Sequence, residues 1–480
     1  MEEGHRVVAV SEATRLAGSK IGLFDGAVSI PGNIRGLATR EPRVSEEAIR
    51  EYDLYRKSAR FSSNHATLLL MMSRVDTSGT FRGLEREVLA RRINLEAFEI
   101  LSESQPDIAV FDVTPHEAFE FALFQALAWK AIPTLMFQPS LVGPQMVARV
   151  GVSEVLSVPF RESARDTTES AWSEIVAISM SALGRLRAGT GTPKIDSQKA
   201  KEASSRRLRS KFWAWFRSVL RLGKSGPNSE FSLTGHNIRS QAWRSFLEVY
   251  LERSLRLSLK KSVHDLPDLA SAPENRFALM ALHYEPERCS IPEGWPFDSQ
   301  LDAILAVRNF LPDDVELIVK EHFSQQAAAL RGFVGRSPDF YAMVKALPGV
   351  RLAGVNSATK ILIDNAECVA TLTGKVGIEA AMAGTPVLAL GQPWWLGMPG
   401  ATSLSLTATY EEFCAATVPS PRLVEDWLSR QVRYTLLPGL ASVSPERYAQ
   451  QVQPLPAGFE LLEAGAVTAA LRSLISLDEG

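Results

Sequence analysis

The stretch Cys368-Val-Ala-Thr-Leu-Thr-Gly-Lys-Val-Gly-Ile-Glu-Ala-Ala-Met-Ala-Gly-Thr-Pro-Val-Leu-Ala-Leu390 reads as one compact unit: strand, glycine-containing turn, short helix, a stop at Gly384, and strand. Thr373 stands where a helix N-cap belongs. Gly374 and Gly377 allow close backbone approach, so unpaired amides and the helix dipole face the carboxyl end of the first strand, where an anion fits. Glu379 falls in the first turns of the helix, placed to accept hydrogen bonds from ribose hydroxyls. The other reading of the two glycines is tight packing of helix on sheet.

Outward from this unit the alternation continues. Apolar runs at 276–283, 315–321, 350–354, 367–372 and 386–390 are separated by segments that mostly read as helices. Repeated strand-then-helix order implies a parallel, doubly wound sheet, and ligands of such sheets bind beyond the carboxyl ends of the strands. Two polar clusters fall at such ends. His283-Tyr-Glu-Pro-Glu287 follows the first run, and Lys320-Glu-His322 ends the second. A His or Lys there suits a phosphate oxygen, and a carboxylate suits a sugar hydroxyl or a proton shuttle. Taken singly, His283 and His322 read equally as surface or structural residues. Converging with Thr371 and Thr373, they read as a site.

The amino-terminal half is less regular. Residues 94–138 give a helix ending near Gln105, a strand Asp107–Asp112, an apolar helix from about His116 to Lys130, and a strand Ile132–Phe137. Arg6–Val10 reads as an opening strand and Tyr52–Arg92 as mostly helical. From about 187 to 235 the composition shifts to Gly, Ser, Lys and Arg, as in an interdomain insertion.

Length and composition agree with this outline. The 480 residues exceed one ordinary core, given domains of roughly 100 to 200 residues. With 45% hydrophobic and 22% charged residues and a formal charge of -2, the chain is globular, and its charge names no partner. Cys289, Cys368 and Cys414 lack CxxC spacing, which points away from zinc or a disulfide framework. No apolar run of signal or membrane-spanning length occurs, so the expected location is cytoplasmic.

Leu282-His-Tyr-Glu-Pro-Glu287, Val319-Lys-Glu-His322, Asp339-Phe-Tyr341 and Thr371-Leu-Thr-Gly-Lys-Val-Gly-Ile-Glu-Ala380 together resemble the capsule-polysaccharide synthesis proteins, in order and spacing, over about 276–395. That family includes transferases acting from CMP-linked 3-deoxy-octulosonic acid. Its fold is similar to the GT-B arrangement of two facing Rossmann-like domains. The resemblance implies a nucleotide-sugar donor held by His283, Lys320, Glu321, His322, Thr371, Thr373, Gly374, Lys375, Gly377 and Glu379, with Glu285 and His322 catalytic. A weaker match at Pro106–Glu117 makes His116 and Glu117 candidates for acceptor binding or acid/base work; the alternative is a helix start with Glu117 favouring the dipole. Related transferases using CMP-sugars often have Pro after the second-cluster His, where this chain has Phe323. Lys375 occupies a turn where the family tends to have a small residue, and either contacts phosphate or points to solvent.

Asp-x-Asp is absent from the sequence, so the metal-diphosphate device of the other large glycosyltransferase fold is missing and no metal or separate cofactor is expected. Charge on a leaving phosphate then falls to helix-terminal amides, His322, Lys320 and Lys375. In Arg206–Lys224, Leu208, Phe212, Trp215, Phe216, Val219 and Leu222 recur at helical spacing beside Arg206, Arg207, Lys211, Arg217, Arg221 and Lys224. This basic amphipathic pattern suits either an anionic membrane surface, through Phe212, Trp215, Phe216 and Arg217, or packing on the domains. No recognition motif for nucleic acid is present.

The expected architecture is therefore α/β and GT-B-like: an acceptor-side Rossmann-like domain at 1–180, a linker with basic helices at 181–270, a nucleotide-sugar domain at 271–440 and a helical tail at 441–480. The expected function is glycosyl transfer to a glycan or glycolipid acceptor, peripheral to the inner membrane face. A sugar-nucleotide epimerase of similar architecture and a non-catalytic capsule-assembly subunit are the rival readings.

Overall fold

The computed structural model describes residues 9–11, 28–30, 44–74, 83–152, 154–160, 169–189, 251, 253–327, 332–406, 409–416, 419–441 and most of 443–478. Phe212, Trp215, Phe216 and Arg217 lie outside the described residues. The chain forms two compact units, Met1–Val110 with Pro115–Thr134 and Leu208–Ser254, and Phe111–Thr114 with Leu135–Arg207 and Leu255–Gly480.

In the first unit, strands β1 (Ala9–Ser11) and β2 (Val28–Ile30) pair in parallel. Helices Glu46–Arg56, Ala59–Ser73, Gly83–Ser104 and Ala118–Trp129 pack on one another. The rings of Tyr55, Phe61, Phe98 and Trp129 meet edge-on or tilted in their core. Ser45 caps the first helix by accepting from Ala48 N at 3.2 Å, and is itself held by Glu99 at 2.7 Å. Among the described residues, no helix is long and apolar enough to cross a membrane.

A sheet in the order β13–β5–β4–β3 follows, with β3 (Ala109–Phe111), β4 (Thr134–Pro139), β5 (Gln145–Val150) and β13 (Leu437–Pro438); β6 (Glu154–Val155) pairs with β5 off this path. The β4–β5, β5–β6 and β5–β13 ladders are antiparallel. The sequence pattern did not announce this return. The connection between β4 and β5 is short, with positive φ at Leu141 and Gly143, and that length suits an antiparallel partner rather than a crossover. Through β13 the carboxyl-terminal chain comes back to this sheet, and helix Phe459–Asp478 packs beside it, with Glu463 accepting from Leu440 N at 2.7 Å.

The remaining sheet is the one the opening stretch foretells. It holds β7 (Phe277–Ala281), β8 (Glu316–Lys320), β9 (Val350–Ala353), β10 (Val369–Thr371), β11 (Val387–Ala389) and β12 (Ala401–Ser403), all parallel, in the order β12–β11–β10–β7–β8–β9. Counted along the chain from β7 this is 3-2-1-4-5-6, the Rossmann order, with the reversal between β7 and β10. Strands covered on both faces must be apolar throughout, and Leu279, Ile318, Val319, Val369, Ala370 and Leu388 are all fully buried. The fold class is α/β, as read from the sequence.

Helix Val376–Ala383 joins β10 to β11 and ends at Gly384, whose φ of 88° gives a left-handed C-cap. Gly377 sits under the fully buried Trp395: a Cβ there would lie 2.7 Å from Trp395 Cζ2. It thus serves packing, the second of the two readings of this glycine. A Gly377→Ala substitution is expected to destabilise by about 1 to 3 kcal/mol through overpacking, and adding Trp395→Phe is expected to recover part of it, as measured by urea denaturation.

Candidate functional site

The carboxyl ends of β7 and β10 lie side by side at the reversal of strand order, where the helices after the two strands depart to opposite faces and leave a crevice. His283 follows β7, and Thr371 ends β10. His283 Nε2 lies 3.2 Å from Thr371 Oγ1 and accepts from Thr373 N at 3.4 Å, while Thr371 Oγ1 accepts from Gly374 N at 3.3 Å. A ring nitrogen that accepts from an amide carries no proton, so the His283 proton sits on Nδ1. A side chain at 374 would meet this group, with a Cβ 2.8 Å from Thr371 Oγ1 and 3.2 Å from His283 Cε1. Gly374 therefore answers to a close approach, although by Thr371 and His283.

Thr373 does not cap the helix. The N-cap position falls on Lys375, and the Thr373 hydroxyl donates instead to Cys289 O at 3.1 Å, tying the turn to the loop after β7. The turn amides of 373 and 374 are engaged by His283 and Thr371, so an incoming anion meets the side chains before it meets those amides.

Glu321 also differs from expectation. It is fully buried, accepting from His322 N at 2.6 Å and from Tyr341 OH at 2.7 Å, and it pairs with Arg336 Nε at 3.2 Å. With its oxygens so occupied it supports the site rather than touching a ligand. Burial and the Glu321 charge raise the Tyr341 phenol and keep it protonated. Lys320, nearly buried at the end of β8, donates weakly to the Glu321 and Val355 carbonyls at 3.4 Å.

His322 caps the 3-10 turn Phe323–Gln326, its Nδ1 accepting from Ser324 N at 3.1 Å. The proton is consequently on Nε2, which makes Nε2–H the donor of the ring. Its backbone is extended, φ -78° and ψ 134°, the conformation a following proline would enforce. Phe323 at the first helical position thus leaves the ring where Pro would leave it, since that position needs no N–H.

Electrostatics keep both histidines neutral. Burial pushes His322 down to about 3, assisted by His283, Lys320, Lys375 and Arg336. Burial likewise takes His283 to about 4, with Glu293 opposing and Arg336 assisting. Glu379, half-buried, is raised by burial against the pull of Lys375 and Lys320, and among the described residues its carboxylate has no hydrogen-bond partner. Glu285 is mostly buried, its carboxylate 3.5 Å from Arg336 Nη1 and its backbone clamped by Gln325 at 2.9 and 3.0 Å.

The β7, β8 and β10 clusters are thus brought together. His116 and Glu117 lie in the first unit, at the start of helix Ala118–Trp129: Glu117 holds the N-cap position without a side-chain cap bond, and His116 Nδ1 is 3.9 Å from Glu120. Residues missed in the sequence are Arg336, Gln325 and Gln300. Gln300 brackets the His283 backbone, its Oε1 accepting from His283 N at 2.8 Å and its Nε2 donating to His283 O at 3.2 Å. None of the three belongs to a recognisable motif.

Residues 249–435 match the family model of capsule polysaccharide biosynthesis proteins. The match spans the whole six-stranded sheet and every polar residue at its crevice, so the resemblance carried by the strand-end motifs and the family match coincide. Curated proteins give no match. Among solved structures, the chain is similar to KpsC beta Kdo 2,7 transferase of Thermosulfurimonas dismutans, at 20% identity and TM-score 0.23, covering 35% of this chain and 53% of that one. It is similar to the beta Kdo 2,4 transferase of the same organism's KpsC at 10% identity and TM-score 0.24, covering 64% and 83%. It is also similar to a putative UDP-N-acetylglucosamine 2-epimerase of Listeria monocytogenes, at 16% identity and TM-score 0.21, covering 82% and 78%. The chain spans about half the length of the first of these. At such TM-scores the fold assignment stands on the strand order itself, and the family match is confined to residues 249–435.

The depressed histidines set a pH dependence. Unfolded, each ring takes a proton below about pH 6.5, whereas folded it does so only near 4 or 3. The unfolded state binds more protons in that window, so stability is full above about pH 6.5 and falls on acidification, by up to about 1.4 kcal/mol per pH unit per ring. His322→Asn, whose Oδ1 can still accept from Ser324 N, is expected to lose less Tm than wild type between pH 7.5 and 5. Equal losses would show that His322 does not stay neutral.

Proposed function

We propose that this crevice binds a nucleotide-sugar and that the chain is a metal-independent glycosyltransferase of GT-B type, passing the sugar to a surface-polysaccharide or lipid-linked acceptor. The observation that carries the reading is the donor and acceptor set at the β7–β10 reversal. It comprises Lys320 and Lys375 within electrostatic reach of His322, the Nε2–H of a neutral His322, and the Glu379 carboxylate, which among the described residues has no hydrogen-bond partner.

In this reading the bond from the anomeric carbon to the phosphate oxygen breaks and negative charge grows on the phosphate. Lys320 and Lys375 supply fixed positive charge there, and His322 supplies a hydrogen bond without giving up its proton. Glu379 accepts from ribose hydroxyls. Glu285, held beside Arg336, is assigned to the sugar as a fixed acceptor. His116 and Glu117 are assigned to acceptor-side acid or base work. The basic segment 206–224 is assigned to an anionic membrane surface, where the double variant Trp215→Glu, Phe216→Glu is expected to stop sedimentation with anionic liposomes.

Thermal-shift titration with CMP-, UDP- and GDP-sugars tests donor binding, since a ligand held only by the folded state raises Tm. Stabilisation by one of the three is expected, and none by any would overturn the reading. Nucleotide release that depends on acceptor, undiminished by chelator, separates a transferase from an epimerase and from a silent assembly subunit. Glu379→Ala is expected to weaken nucleotide binding by about tenfold or more, as loss of a hydrogen bond to a charged group does, and to abolish discrimination between ribo- and deoxyribonucleotides. His322→Ala is expected to lower turnover at least about tenfold, with wild-type kinetics rejecting its role.

A further inference from the structure

Arg336 lies outside every motif that marks the site, yet it touches groups at the ends of both β7 and β8. It follows the 3-10 turn Gly332–Val334 and is completely buried. Its Nη2 donates to His283 O at 2.8 Å, its Nε pairs with Glu321 Oε2 at 3.2 Å, and its Nη1 lies 3.5 Å from Glu285 Oε2. The guanidinium stacks over Phe340, Cζ 4.4 Å from the ring centre. Gly335 brings it there: a Cβ at 335 would lie 2.5 Å from both Glu285 C and Glu285 Cβ, so the backbone presses directly on the loop after β7.

We infer that Arg336 is the positioning residue of this site, holding the histidine-bearing ends of β7 and β8 at a fixed spacing. One arm acts on β7, where Nη2 holds the carbonyl of His283, the residue whose Nε2 organises the Thr371–Gly374 turn. The other acts on β8 through Glu321, which accepts the backbone N–H of His322 and so sets the residue whose Nε2–H faces the ligand in the reading above. One hydrogen bond, from Nη2, and two ion-pair contacts, from Nε and Nη1, point in different directions and suit a planar fork, whereas a lysine, with one compact ammonium on a flexible stem, can meet one or two of them but not all. The inference rests on the nucleotide-sugar reading for its consequence, though not for its geometry.

The test compares wild type with Arg336→Lys and Tyr341→Phe, the second removing only one bond to Glu321. Three quantities are measured: Tm, nucleotide affinity against turnover, and the ring nitrogen resonances of His283 and His322 without ligand. Arg336→Lys is expected to keep nucleotide affinity within about tenfold while turnover falls at least about thirtyfold, and to shift both histidines from their single tautomers. Tyr341→Phe is expected to move only His322, with a smaller loss of turnover. Should Arg336→Lys fail to fold, Tyr341→Phe carries the test. Unmoved histidine resonances, or turnover lost only in proportion to folded protein, would overturn the inference. If wild type binds no nucleotide, the functional reading fails, and the ligand-free resonances still decide whether Arg336 positions the rings.

Discussion

The adjacency of β7 and β10, strands separated in sequence by β8 and β9, constrains everything else at the site. Two parallel neighbours whose following segments depart to opposite faces cannot close over their own carboxyl ends, and the groups placed there are left beside a crevice. The apolar strands make the sheet; the polar residues immediately beyond them are what the sheet presents. Because β8 is the next strand out, Lys320, Glu321 and His322 come to the same rim as His283 and the Thr371–Gly374 turn.

The polar groups at that rim form two layers with different work. Behind are Arg336, Glu321, Tyr341, Gln325 and Gln300, all buried and all engaged with one another or with backbone. In front are the half-buried His322, Lys375 and Glu379, with Lys320 beside them. Buried charge is costly unless paired, and here each buried ion has a counter-ion or an amide within reach. The rear layer thereby converts an apolar sheet end into a rigid support for the front one.

The parallel sheet was legible because five apolar runs, each bounded by glycine, proline or polar residues, alternate with helical segments, whereas the short, polar β12 gave no such run; the turn at 371–377 was legible because its glycines and threonines are local signals. What could not be read was set by partners distant in sequence. Nothing in Gly-Arg-Ser-Pro-Asp at 335–339 marks Arg336 as central, since a buried arginine looks like an exposed one until its carboxylates are placed. Glu321 read as a ligand contact because its neighbours did, yet a strand-end residue points alternately in and out, and it points in. Thr373 read as a cap from spacing alone, whereas the carbonyl of Cys289, reached only through the fold, was the stronger competitor for its hydroxyl. The β4–β5 hairpin escaped notice because Gln145–Val150 contains Gln and Arg at buried positions, which breaks the apolar signature of a covered strand.

The neutrality of the two histidines has a bearing on how the crevice meets its ligand. A receptor whose imidazoles titrate near neutrality changes its own charge with small changes in acidity. Here the positive charge near His322 comes from Lys320, Lys375 and Arg336, and the two imidazoles add none of their own around neutrality. In the nucleotide-sugar reading proposed above, the ligand brings a titration of its own to that range, since a phosphate released as a monoester titrates at about pH 6. On that proposal the departing nucleotide changes its charge while the two rings beside it do not.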